Sequence, residues 1–190
     1  LVETTQSRGE DMAKLAFLGL GVMGYPMAGH LKAAGHDVTV YNRTATKAEA
    51  WAARHGGAWA ASPRAAADGC DFVMACVGND DDLRAVVTGP DGALAGMKPG
   101  AIFVDHTTVS ATVTRELAAL AHAQGAGWVD APVSGGQAGA ENGKLAIMCG
   151  GDDAHFAAAE AVVAAYSKAT VHFGAVGAGQ LTKMVNQICI

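Results

Sequence analysis

Short apolar runs alternate along the chain with longer Ala-rich stretches whose apolar residues recur at helical spacing. KLAFLG (14–19), DVTVY (37–41), DFVMACV (71–77) and AIFVD (101–105) read as strands, as do residues 128–131, 145–149 and 170–173. Residues 23–34, 44–55, 80–87, 110–124 and 153–166 read as helices. Gly35 and Gly56-Gly57 supply stop signals, and Ser110 is a candidate cap. Ser62-Pro63 places a capping hydroxyl before a proline at the first helical position, which starts a further short helix. The near-continuous apolarity of DFVMACV suits a strand covered on both faces. Such strand–helix alternation predicts an α/β fold with a doubly wound, mainly parallel sheet. Residues 1–12 are polar and read as a flexible leader or a cloning remnant. Residues 13–176 form the predicted sheet domain, and 177–190 begin one more helix. That helix meets no stop signal and reaches apolar Ile190, which predicts that further chain covers it.

Composition narrows the function. The 190 residues are 51% hydrophobic and 16% charged, which excludes intrinsic disorder. Thirteen Lys and Arg stand against 18 Asp and Glu, a net charge of −5, and no basic block exists to track a nucleic acid. Cys70, Cys76, Cys149 and Cys189 form no CxxC pair, and the last three lie in apolar runs that read as core. The seven histidines show neither HxxxH nor HExxH spacing, so no metal site is expected. No apolar run approaches the ~20 residues that span a bilayer. The expected setting is reducing and cytoplasmic, without membrane or nucleic-acid partners.

One motif carries chemistry. Gly19-Leu20-Gly21-Val22-Met23-Gly24 is GxGxxG, directly after a strand and opening a helix. Gly19 permits the tight turn, Gly21 lets the backbone approach a pyrophosphate, and Gly24 lets helix and strand pack closely. The helix N-terminus then offers N–H groups and partial positive charge to phosphates. A Rossmann-like dinucleotide site follows. At the end of the second strand an NAD site expects Asp or Glu, but the chain reads Tyr41-Asn42-Arg43-Thr44. No carboxylate there repels a 2′-phosphate, and Arg43, with Lys47 one turn on, can grip one. The expected cofactor is NADP rather than NAD.

Five segments together resemble the β-hydroxyacid dehydrogenase family, which includes 3-hydroxyisobutyrate dehydrogenase and the tartronate, glyoxylate and succinic semialdehyde reductases. They are FLGLGVMGYPMAGHL (17–31), YNRT (41–44), DHTT (105–108), DAPVSGG (130–136) and GAGQLTKMVNQ (177–187). The larger 6-phosphogluconate dehydrogenases share the glycine loop and NRT, but DAPVSGG points to the shorter branch. The resemblance makes Lys183 the catalytic residue and Asn186 the amide that orients it or the substrate. It puts the substrate carboxylate at Ser134, Gly135 and Gly136, Thr108 near the nicotinamide, and the Val77 backbone against the cofactor. His106, within DHTT, is given no role. The resemblance also implies that the last helix leads into an all-helical second domain, absent here, that forms a homodimer or homotetramer. Imine reductases share the architecture but generally lack this lysine. Gln187 stands where many members carry Asn, which points away from 3-hydroxyisobutyrate itself.

The chemistry agrees with the resemblance. Lys183, Asn186 and Gln187 share one helix face. A lysine whose pKa is lowered by burial can protonate the alkoxide that develops as hydride reaches a carbonyl. Ser134-Gly135-Gly136 offers a hydroxyl and exposed amides to a carboxylate. The expected function is hydride transfer between NADP(H) and a small β-hydroxyacid or its semialdehyde or keto partner. The alternative is an NADP-binding sensor or interaction module without turnover. Which hydroxy acid is used, and in which direction, the sequence leaves open.

Overall fold

The computed structural model describes residues 12–189, so the leader expected over 1–12 lies, but for Met12, outside the described residues. Nine strands form one sheet in the order β3-β2-β1-β4-β5-β6-β8-β7, with β9 paired to β8. They are β1 Lys14–Leu18, β2 Asp37–Tyr41, β3 Ala58–Trp59, β4 Phe72–Ala75, β5 Ile102–Asp105, β6 Gly127–Asp130, β7 Val133–Ser134, β8 Leu145–Gly151 and β9 Ser167–His172. The helices are α1 Gly24–Ala33, α2 Ala45–His55, α3 Pro63–Ala67, α4 Asp80–Val87, α5 Ala111–Ala123, α6 Gly136–Glu141, α7 Asp153–Val163 and α8 Ala178–Ile188. β1 to β6 pair in parallel, β8 runs antiparallel to β6 and β7, and β9 runs parallel to β8. The doubly wound, mainly parallel sheet expected from the sequence is therefore present.

Alternation along β1 shows how the sheet holds two cores. Leu15 and Phe17 join Met27, Leu31 and Trp51 on one face; Ala16 and Leu18 join Val73, Leu83, Leu117 and Trp128 on the other. All these side chains are fully buried. Phe103 and Trp128, opposite each other on β5 and β6, stack with ring centroids 4.5 Å apart. The strand order reverses direction at β1 and β4, so the crossovers leave to opposite faces and a crevice opens outside their carboxyl ends. Ser62 and Ser110 cap α3 and α5 as expected, accepting from the Ala65 and Val113 amides.

Two local expectations change, and one holds. β3, β7 and α6 carry no strong pattern in the sequence, because two-residue strands cannot display a period. Cys189 is exposed although its neighbours are apolar, while Cys70, in a polar turn, is buried. The last helix leaves Leu181, Met184, Val185 and Ile188 exposed, the last at 82%. No helix among the described residues is long and apolar enough to cross a membrane.

Candidate functional site

The glycine loop does what its spacing requires. Gly19 has φ +97°, and a Cβ there would strike the Cys76 carbonyl at the end of β4. A Cβ on Gly24 would strike the Gly19 carbonyl and the Phe17 ring, so this glycine seats α1 on β1. Gly21 has nothing within 4 Å of its Cβ position: the space it faces is open. No side chain caps α1 and no acidic residue stands in its first turn, so its amides and dipole face the crevice. These features fit a dinucleotide pyrophosphate. A cleft of about 470 Å³ brings together Gly19, Gly21, Val22, Met23, Gly24, Asn42, Arg43, Thr44, Lys47 and Val77. Leu20 is instead a core side chain, with its amide held at 2.9 Å by Asn42 Oδ1. Asn42 Nδ2 in turn donates to the Thr44 carbonyl, fixing the turn after β2.

One expectation about this cleft needs correction. The end of β2 has no carboxylate, but α4 supplies one: Asp82 Oδ1 lies 3.1 Å from Arg43 Nη1, and both line the cleft. Their separation of 39 positions hid the pair from a local reading of YNRT.

A second cleft, of about 340 Å³, adjoins the first and shares Met23, Cys76, Val77 and Gly78 with it. Its wall gathers Thr108, Ser134, Gly135, Gly136, Lys183 and Gln187 from three separate segments. Lys183 is 8% exposed, and burial lowers its pKa from the ordinary lysine value. The structure thus brings Lys183 to the Ser134–Gly136 turn. Asn186 does not stand in this wall; its Nδ2 is buried without a hydrogen-bond partner among the described residues. The Val77 amide donates to Thr107 Oγ1 at 3.1 Å, which leaves its carbonyl and side chain for contact with a ligand.

The position of Lys183 is set from behind. Asp130, at the end of β6, accepts from the Gly177 amide at 2.7 Å and the Gln180 amide at 3.0 Å, anchoring the start of α8. Burial raises the Asp130 pKa, and these amides oppose that rise. Gln180, fully buried, accepts from the Val109 amide and donates to the Thr107 carbonyl. A Cβ on Gly179 would strike the Met148 carbonyl, so α8 lies directly on β8.

His106, given no role by the sequence, is also in the wall of the second cleft. Nδ1 lies 2.7 Å from the Ala131 carbonyl and Nε2 2.7 Å from the Tyr166 hydroxyl. A carbonyl only accepts, so Nδ1 carries the proton and Nε2 accepts from Tyr166. Burial lowers the His106 pKa to about 4. The preceding Asp105 is pushed up to about 7, chiefly by burial. Its Oδ1 accepts from the Thr107 amide while Oδ2 has no partner among the described residues. Neither partner of His106 could be found from spacing, since Ala131 follows β6 and Tyr166 lies in the turn between α7 and β9.

Comparison with known proteins adds the family context. Residues 14–175 match the family described as the NAD-binding domain of 6-phosphogluconate dehydrogenase. An uncharacterised oxidoreductase of Shewanella frigidimarina is 62% identical over 179 residues, covering 94% of this chain and 62% of that protein. A mitochondrial protein of Arabidopsis thaliana, described as a probable 3-hydroxyisobutyrate dehydrogenase-like 2, is 39% identical over 191 residues, covering 100% of this chain and 61% of its own. The solved structure of Mycobacterium tuberculosis 3-hydroxyisobutyrate dehydrogenase with L-serine superposes with a TM-score of 0.88 at 39% identity, over 94% of this chain and 60% of that one. The chain therefore spans about three-fifths of the length of these relatives.

Proposed function

The chain belongs to the family of the 6-phosphogluconate dehydrogenase NAD-binding domain, with 3-hydroxyisobutyrate dehydrogenase-like oxidoreductases as relatives, and we propose that it transfers hydride between NADP(H) and a small β-hydroxyacid or its semialdehyde or keto partner. The carrying observation is the position of Lys183. It is nearly buried, its pKa is lowered, and it shares a cleft with the Ser134–Gly136 turn. That cleft opens into the glycine-loop cleft through Met23, Cys76, Val77 and Gly78.

In this reading the glycine loop and the first turn of α1 hold the pyrophosphate, while Asn42, Arg43 and Thr44 hold the adenosine ribose and its 2′-phosphate. A bound nicotinamide supplies or takes up the hydride. The Ser134 hydroxyl and the Gly135 and Gly136 amides hold the substrate carboxylate, leaving its oxygen-bearing carbon toward the shared wall. Lys183 Nζ gives a proton to the oxygen in reduction and recovers it in oxidation. Burial disfavours the charged ammonium, so it is a better proton donor than a solvated lysine. Asn186, outside the cleft wall, acts on the orientation of Lys183 rather than on the substrate, and Thr108 borders the nicotinamide. The L-serine named with the mycobacterial relative is itself a small 3-hydroxy acid, which supports the substrate class. The proposed protein is a cytoplasmic homodimer or homotetramer.

The test is Lys183→Ala in the complete protein, assayed for NADPH oxidation with glyoxylate, succinic semialdehyde and tartronate semialdehyde. Turnover falls by about 100-fold or more, as for loss of a general acid, while NADPH binding persists. Turnover that survives the substitution removes Lys183 from the chemistry. A wild-type protein that binds NADPH yet reduces none of these compounds supports a sensor or interaction module.

A further inference from the structure

His122, Asp152 and His155 each bring a donor atom within 4.8 Å of the other two. His122 is in the last turn of α5, Asp152 is the residue before α7, and His155 is in the first turn of α7. They lie far from the clefts. The His155 ring rests on Gly127, the first residue of β6, where a Cβ would come 2.7 Å from it. That is the amino edge of the parallel strands, whereas both clefts lie beyond their carboxyl ends.

Two features set the cluster apart. Asp152 occupies the N-cap position of α7, where aspartate ordinarily accepts from a helix amide, yet it makes no capping bond. Its Oδ2 is turned instead to within 3.5 Å of His155 Nδ1. That nitrogen is buried and lacks a hydrogen-bond partner among the described residues. An N-cap carboxylate drawn off its helix thus faces a histidine nitrogen at ion-pair distance, with the His122 ring 6.3 Å from that of His155.

We infer that His122, Asp152 and His155 form a binding site for a divalent transition metal, with zinc the best fit. Two imidazoles and one carboxylate are a three-ligand zinc set, completed by water in a tetrahedral geometry. Magnesium and calcium require mostly oxygen donors and are disfavoured. Zinc bonds of about 2.0–2.1 Å place neighbouring donors roughly 3.3 Å apart, so the side chains must close in. His122 and Asp152 are exposed and free to turn, while His155 is held by Gly127. The bound metal would tie α5, on one face of the sheet, to α7, on the other, around the end of β6. The sequence hid this site because only Asp152 and His155 share a local spacing, and His122 arrives from α5, 30 residues earlier than Asp152.

Calorimetric titration of the purified protein with zinc chloride tests the site, independently of the proposed hydride chemistry. Wild type should take up one zinc with a matching rise in thermal midpoint. His122→Ala and Asp152→Asn, both at exposed positions, should each weaken that binding by more than about tenfold while keeping the wild-type circular dichroism and NADPH affinity. Cobalt at the same site should give a d–d spectrum without thiolate charge transfer. Zinc uptake unchanged in both variants, including uptake by the exposed Cys189 thiol, overturns the assignment. So does absence of zinc uptake by wild type at micromolar concentration.

Discussion

Arg43 Nη1 and Asp82 Oδ1 lie 3.1 Å apart across the mouth of the glycine-loop cleft, joining the end of β2 to the start of α4. The arginine side chain is 87% exposed and the aspartate 33%, so the pair is worth at most about 1 kcal/mol. A dianionic 2′-phosphate offers Arg43 a stronger, bidentate partner and can displace Asp82. Asp82 then becomes a nearby negative charge that opposes the phosphate. Arg43→Ala should therefore weaken NADPH binding by about 10- to 100-fold, the worth of a charged hydrogen bond, and barely change NADH. Asp82→Asn should tighten NADPH by roughly two- to fivefold. Quenching of tryptophan fluorescence on titration with each dinucleotide gives all four affinities. A tighter NADH complex in Asp82→Asn would place Asp82 outside the phosphate site.

Two glycines of the loop separate stability from binding. Gly24→Ala pushes a methyl into the Gly19 carbonyl and the Phe17 ring, both fixed by the sheet. Overpacking of this kind costs about 1–3 kcal/mol and should lower the unfolding midpoint. Gly21→Ala meets nothing within 4 Å, so its unfolding curve should match wild type. Its methyl instead enters the space a pyrophosphate would use, and NADPH affinity should drop by tenfold or more, about 1.4 kcal/mol. Urea unfolding read beside NADPH titration distinguishes the two. If Gly21→Ala bound NADPH normally, the pyrophosphate would not approach that glycine.

The pattern along the chain made some of this readable and hid the rest for physical reasons. β2 and α4 keep the bounds read from their apolar runs and from turn signals, β1 ends one residue early at Leu18, and the GxGxxG loop was legible because its strand, turn and helix are contiguous. Asp82 beside Arg43, Tyr166 beside His106, and Gln180 against Thr107 are separated by 39, 60 and 73 residues. Pairings at that distance are decided by strand order, which hydrophobic period does not encode. Lys183 was legible only through the resemblance of GAGQLTKMVNQ. An isolated helix lysine is usually solvated, and its burial depends on Asp130 and Gln180 docking α8 onto β6 and β8.

Asp105 and His106 are adjacent, buried and perturbed in opposite directions. Asp105 rises from 3.8 to about 7, so the folded state binds a proton that the unfolded state releases above pH 3.8. Its contribution to stability is present at low pH and falls as pH rises toward 7. His106 falls from 6.5 to about 4, so the unfolded state binds the extra proton between those values. Its contribution is present above pH 6.5 and falls as pH drops toward 4. Between pH 4.5 and 6.5 the two slopes cancel. Asp105→Asn should leave the histidine slope alone, with stability rising by roughly 2–3 kcal/mol across that interval. His106→Asn should show the reverse, a fall of similar size. Urea unfolding of the three proteins at pH 4.5, 5.5 and 6.5 reads the slopes directly, and parallel curves would contradict the burial of either charge.

Gln180 stands three residues before Lys183 on the same face of α8, and its amide is the buried link between that helix and the Thr107–Val109 turn. Gln180→Met preserves the length and apolar stem of the side chain but leaves the Val109 N–H and the Thr107 carbonyl buried without partners. Each costs about 1–3 kcal/mol, so the variant should lose at least 2 kcal/mol, about 4–8 °C in the unfolding midpoint. Its kinetic effect should divide sharply. The glycine-loop cleft draws its walls from the β1, β2 and β4 ends and from α4, not from α8, so NADPH affinity should stay within about twofold of wild type. The second cleft contains Lys183, whose distance to the Ser134–Gly136 turn depends on where α8 is docked. A displacement of about 1 Å there can cost 100-fold, and kcat should fall with little change in the cofactor KM. Gln180→Glu offers Val109 the same acceptor but sets a second oxygen against the Thr107 carbonyl, so it should recover only when that carboxyl is protonated at low pH. Equal loss of kcat and of NADPH affinity in Gln180→Met would instead mean that α8 supports both clefts together.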